Sequence, residues 1–147
     1  MYALLELAKN TQALSEGKIF ILTFENKNLQ TLVINLNKDQ LRASQLSNDE
    51  LIPFIYSERS IEEFGKKPGR WTLYDSGELY DSIKVLTVTE EAIIETADLI
   101  KEEGDRDFED LFDGNVLGLN SESMDILIKE VLPFMREKLL EEMLRGI

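Results

Sequence analysis

The side chains of this 147-residue chain that could do chemistry are chiefly its carboxylates: 29 Asp and Glu stand against 16 Lys and Arg, with no histidine and no cysteine. Without those two residue types there can be no disulfide, thiolate zinc site, Cys–His nucleophile, Ser–His–Asp triad or imidazole base. Any catalysis would rest on carboxylates, Lys, Tyr or Ser. The most suggestive acidic spacing is Asp105, Asp107 and Glu109, alternate positions that suit the start of a calcium loop. Such a loop needs glycine at its sixth position and a bidentate Glu at its twelfth; this chain has Asp110 and Val116, so an EF-hand is rejected. A glycosidase pair needs one carboxyl kept protonated in a cleft beside an ionised partner, and no segment marks a cleft. No Gly-rich run precedes a Lys-Ser/Thr pair to cradle phosphate. Ser76 and Ser82 read as parts of a turn and a short helix rather than as nucleophiles. No catalytic, cofactor-binding or metal-ligating residue is assigned, and the enzyme reading is poor.

Composition narrows the partners. At 43% apolar and 31% charged, the chain has enough apolar residues for a core and reads as one globular domain. A formal charge of −13 argues against a general binder of nucleic acid or anionic membrane, since either needs a basic face. Proteins are the expected partners, or DNA that must slide past without sticking. Residues 1–13 make a poor signal peptide, because Glu6 and Lys9 interrupt the apolar run and no basic leader precedes it. No run approaches the ~20 apolar residues of a membrane span. A protein made and kept in the cytoplasm, or packed into an assembly there, is expected.

The most specific local signal is 71–85, WTLYDSGELYDSIKV, a turn followed by a short helix and then a strand. Asp75 and Glu78 are spaced as a capping box, and Gly77 allows a left-handed backbone. Leu79 and Ile83 share one helical face, flanked by Tyr80 and Ser82. Ile83, Val85, Thr87 and Thr89 then alternate with Lys84, Leu86 and Val88. With 92–97 after Glu90-Glu91, they predict an antiparallel hairpin.

Elsewhere, Leu4, Leu7, Ala8 and Leu14 predict an amphipathic first helix that stops at 15–17. Residues 18–25 suit a buried strand or a buried helical turn equally. Residues 28–41 fit a helix capped by Asn26 or Asn28, although a hairpin of 18–25 with 30–36 competes. Residues 42–70 form a long irregular connection, with some order at 51–56 and one turn at 60–64. Within and just after it, Lys66, Lys67, Arg70 and Trp71 make the one basic cluster. It reads as a solvated loop or, more sharply, as a contact for an acidic partner surface. Residues 98–114 are acidic and anchored by Phe108, Leu111 and Phe112. Asn120 or Ser121 caps a last helix whose stripe is Met124, Leu127, Ile128, Val131, Met135, Leu139 and Met143. Pro133 should kink or divide it. The later part, Leu139, Leu140, Met143 and Leu144, exceeds what a small sheet covers.

Three segments carry a resemblance. Leu73-Tyr74-Asp75-Ser76-Gly77-Glu78-Leu79-Tyr80-Asp81-Ser82-Ile83-Lys84-Val85 resembles the Leu-x-Asp-Thr-Gly-x-Leu-x-x-Ser-Ile-x-Val segment of tailed-phage tail-completion and virion-morphogenesis proteins. Val116-Leu117-Gly118-Leu119-Asn120-Ser121-Glu122 is similar to the Leu-Gly-Leu-Ser-x-Glu start of their last helix, and Leu36-Asn37-Lys38-Asp39-Gln40-Leu41 to their upstream Leu-Asn-x-x-Gln-Leu. Ser76 stands where Thr is usual, and Asn48-Asp49 where glycine is. The resemblance covers about half of the chain and leaves the first helix and 18–25 outside it. It implies an α+β fold in which a small antiparallel sheet packs on a long C-terminal helix and a long loop reaches neighbours in a ring at the head–tail junction or tail end. It also implies a structural role in the virion, made in the host cytoplasm, with copies of itself and other virion proteins as partners. Residues 73–85 would position the subunit and the 42–70 loop would make the contacts.

Overall fold

The computed structural model describes residues 2–101 and 106–146. It is an α+β arrangement of helices around a small antiparallel sheet, with a long helix near the C-terminus. Three helices come first: α1 (Tyr2–Ala13), α2 (Glu16–Phe24) and α3 (Lys27–Arg42). Residues 18–24 are therefore helical, with Glu25 closing the helix, and the hairpin alternative is set aside. The reason lies at the ends. Ser15 accepts the Lys18 N–H at 3.1 Å to cap α2, and Asn26 accepts the N–H groups of Asn28 and Leu29 at 2.9 and 3.4 Å to cap α3. What resembles a turn at 26–28 is thus a helix start. Ile19 with Thr23, and Phe20 with Phe24, then face the interior at four-residue spacing.

Past the 42–57 connection, α4 (Glu58–Phe64) and α5 (Glu78–Ser82) precede the hairpin β1 (Lys84–Val88) and β2 (Ile93–Thr96). The register pairs Lys84 with Thr96, Val85 with Glu95, Thr87 with Ile94 and Val88 with Ile93, with a bulge between Val85 and Thr87. That bulge breaks the expected alternation. Val85 and Val88 turn inward while Leu86 and Thr87 are exposed, because the extra residue flips the side-chain phase. A two-residue ladder, β3 (Ile100–Lys101) with β4 (Arg106–Asp107), leads into α6 (Phe108–Leu111). Phe112 is buried and stacks on Phe108, but Leu111 is exposed. The calcium-loop candidate falls partly outside the described residues, which omit Asp105.

The last helix, α7 (Ser121–Met143), is capped by Asn120, which accepts the Ser123 N–H at 2.9 Å. It runs unbroken through Pro133 rather than dividing there. Its buried line is Ser123, Leu127, Val131 and Glu142, with Met135 partly buried; Met124, Ile128 and Leu139 of the expected stripe lie exposed.

Among the described residues two apolar clusters form the core. One joins Leu41, Leu46, Ile52, Leu73, Leu79, Tyr80, Ile83, Phe112 and Val116. The other joins Phe24, Leu29, Val33 and Leu36 to Leu127 and Val131 of α7, with Val88 and Ile93 of the hairpin against it. Each fully buried aliphatic side chain contributes about 1.5–3 kcal/mol. α3 spans both clusters, and its polar Asn37 and Gln40 sit between the Leu36 and Leu41 ends.

Candidate assembly surface

The segments singled out in the sequence meet at α3. Asn37 is completely buried, and its side-chain amide donates to the Val116 carbonyl while its oxygen accepts the Gly118 N–H, both at 3.0 Å. Gln40 repeats this one turn later: its amide donates to the Gly118 carbonyl at 2.9 Å and its oxygen accepts the Asn120 N–H at 2.8 Å. Two side chains on one helix face thereby satisfy the backbone of 116–120 as a neighbouring strand would. Leu117 and Leu119, partly buried, flank Gly118, whose φ of 101° suits only glycine comfortably. Asn120 also donates to Gln45 at 3.0 Å, tying in the start of the 42–70 connection. At the same place Asp49 accepts the N–H and hydroxyl of Ser121, at 2.7 and 2.5 Å, and these bonds hold its carboxyl below the usual range.

The 73–85 segment joins through the core. Leu73, Leu79, Tyr80 and Ile83 share one cluster with Leu41 and Val116. Tyr80, read as flanking, is instead among the largest fully buried side chains; its hydroxyl donates to the Thr72 carbonyl and Arg42 lies 5.3 Å from its ring centre. Burial pushes that phenol up to about 12. Ser82 is a linker: its hydroxyl donates to the Leu79 carbonyl at 2.7 Å and accepts the Asp98 N–H at 2.8 Å. Leu73 takes a positive φ of 57°, a strained state for a leucine, held by its burial. Gly77 is left-handed as expected, with φ 92°. The capping box does not form. Gly77 itself occupies the cap position of α5, Ser76 rather than Asp75 accepts the Glu78 N–H at 3.4 Å, and Asp75 pairs with Lys66 at 3.2 Å.

The 42–70 connection is more ordered than its composition suggests. Leu46 and Ile52 are buried, and Ile52 donates to Ser44 at 2.7 Å while Leu46 donates to Glu50 at 2.8 Å. Residues 54–56 and 69–71 run antiparallel, with Trp71 donating to Phe54 at 2.9 Å and Tyr56 to Gly69 at 3.0 Å. Their aromatic rings stack: Trp71 lies 4.7 Å from Phe54 and 6.4 Å from Tyr56 between centroids. Between those two runs stands α4, capped by Ser57 and closed by a left-handed Gly65, with none of its residues buried. The basic cluster divides by role. Lys66 donates to the Tyr74 carbonyl at 2.6 Å and lies over the Tyr56 ring, so it fastens the loop to 74–75. Arg70 donates to the Ile52 carbonyl at 2.8 Å, and Trp71 packs at the core edge. Of the four residues expected to meet a partner, Lys67 alone is exposed with no bond drawn to another described residue. Ile55 and Phe64, at 69% and 66% exposure, are the large apolar side chains that the 54–71 part of the connection displays most openly.

Among the described residues no three His, Cys, Asp or Glu gather as metal ligands, and no helix is long and apolar enough to cross a membrane. A shallow groove of about 640 Å³ lies between the start of α2, the hairpin turn at Glu90, and Met135 and Leu139 of α7. Compared with family models, with curated proteins and with solved structures, the chain shows no significant match.

Proposed function

We propose that this chain is a structural component of a tailed phage or prophage virion, a tail-completion or head–tail joining protein that acts by protein–protein assembly without a catalytic step. The observation that carries the reading is the convergence of the three resembling segments. Residues 36–41 hold 116–120 through paired amides, and 73–85 packs into the same core beside Leu41 and Val116. Three pieces far apart in the chain thus form one unit, as they should if the motif specifies a fold. That unit supports a connection along which Ile55, Phe64 and Lys67 are exposed. Exposed apolar and basic side chains on a chain of charge −13 suit an acidic neighbour, including the next copy around a ring. The acidic balance also lets DNA pass such a ring without electrostatic adhesion.

The test is a phage or prophage lacking the gene, imaged after induction, with the chain supplied from a plasmid. Separate heads and tails, joined again by wild-type chain but not by Phe64→Asp with Lys67→Glu, are expected. Intact, infectious, tail-bearing particles made without the chain would overturn the assignment and favour a cytoplasmic adaptor using the same loop.

A further inference from the structure

α7 carries more apolar surface than the rest of the chain covers. Beside its buried line, Met124, Ile128, Leu132 and Leu139 lie along one flank at 41%, 48%, 52% and 39% exposure. Met135, partly buried, fills the gap between Leu132 and Leu139. The spacing of four, four, three and four residues keeps these side chains on one side of a helix for about 22 Å, the length of a helix–helix seam. An isolated exposed leucine needs no explanation, but a continuous row does.

The charges bordering this row indicate what covers it. On a helical wheel Asp125, Lys129 and Arg136 follow the outer edge of the flank. α7 makes its ion pairs elsewhere, Lys18 with Glu142 at 3.8 Å, Lys138 with Glu141 at 3.1 Å and Arg145 with Glu142 at 2.6 Å. The acid lies in the N-terminal half of the row and Arg136 in the C-terminal half. This order is self-complementary only when two such helices run in opposite directions. Parallel two-fold pairing puts the two copies of this edge on opposite sides of the seam, where its charges find no counterpart. Antiparallel pairing sets each acid against the other copy's arginine, twice by symmetry. The same superposition brings Met124 opposite Leu139 and places Leu132 near the axis, so the apolar and charged patterns select one geometry. Although the whole chain is acidic, the local edge holds two cations and one anion, and charges farther than about 8 Å away are screened at physiological salt.

We propose that two copies of this chain pair through α7, antiparallel, across a two-fold axis near Leu132, with Asp125 of each copy meeting Arg136 of the other. The pairing goes beyond the virion assignment and does not depend on it, since it uses a different surface from the α4 loop.

Sedimentation-velocity analysis of the full chain across a concentration series tests it, with circular dichroism confirming that each variant is folded. The wild type should form a concentration-dependent dimer, and Leu132→Glu, at an exposed position, should weaken it by roughly a hundredfold. Asp125→Arg alone and Arg136→Asp alone should each weaken self-pairing by about tenfold or more, whereas mixing these two variants should restore a dimer, because every cross-pair is then attractive. A wild type that stays monomeric at all concentrations overturns the proposal and leaves the flank to a different protein. So does a dimer or larger oligomer indifferent to Leu132→Glu, or one that mixing the charge variants fails to restore.

Discussion

Glu95 should make this protein less stable as pH rises through neutrality. It sits on the inward side of β2 between Ile93, which packs on one core cluster, and Ala97, which packs on the other. One of its carboxylate oxygens is sealed from solvent with no hydrogen-bond partner among the described residues. Burial pushes its pKa up from 4.5 to about 7. A raised folded-state value means that the native chain keeps the proton while the unfolded chain releases it. The contribution of this group is therefore fully present below pH 4.5 and is lost as pH climbs through about 7. Two and a half pH units at 1.36 kcal/mol each amount to about 3 kcal/mol, a large share of the ~5–15 kcal/mol typical of a domain. Glu95→Gln keeps the shape and removes the charge. Urea unfolding followed by fluorescence of Trp71, the only tryptophan, at fixed ionic strength from pH 4.5 to 8.5 would measure both proteins. Their difference should be small at pH 4.5 and should grow to about 2–3 kcal/mol in favour of the variant above pH 8, slightly reduced by the cost of burying the amide. Since the other carboxylates are common to both, a difference that is flat with pH to within ~0.5 kcal/mol would refute the reasoning.

Three further outcomes follow from the packing. Asn37→Leu should cost about 2–4 kcal/mol in the same urea assay, because the Val116 carbonyl and Gly118 N–H lose their partners inside the core. Gly17→Ala places a methyl 2.7 Å from the Glu90 Cβ, where the hairpin turn rests on α2. The clash should outweigh the gain of ~1 kcal/mol in helix propensity, giving a net loss of about 1–2 kcal/mol in thermal or urea unfolding. The stability difference between wild type and Asp49→Ala should be present above pH 3.8, the ordinary value of that carboxyl, and should disappear as pH falls through its lowered folded-state pKa; unfolding midpoints from pH 2 to 6 would read it.

Much of this architecture was legible because local chemistry and tertiary packing agree. Asn26 and Asn120 announce helix starts, Gly77 announces a left-handed turn, and the β-branched run after Ile83 announces a hairpin. Where the two diverged, long-range contacts decided. KIFILTF has the composition of a strand, yet caps at Ser15 and Asn26 and the burial of Ile19 and Thr23 make it a helix. The apolar stripe that spacing predicts for α7 is one flank wider than the buried line, since spacing alone does not say which of two adjacent apolar rows meets α2 and α3. Asn37 and Gln40 stand out in the sequence as the polar positions of the Leu-Asn-x-x-Gln-Leu resemblance, but what they do does not; only the approach of 116–120, some eighty positions away in the chain, turns their amides into a buried clamp. Lys66 and Arg70 look like surface cations and prove to be ties for carbonyl groups of Tyr74 and Ile52, which no spacing rule anticipates. Asp75 is diverted from capping for the same reason, because Lys66 lies within its reach.

The most direct measurement of the central claim is quantitative mass spectrometry of density-purified phage particles from the source culture, counting copies of this chain relative to the major capsid protein. The assembly account predicts a reproducible low copy number, of the size of a single ring, in tail-bearing particles. Absence of the chain from intact tail-bearing particles would contradict it.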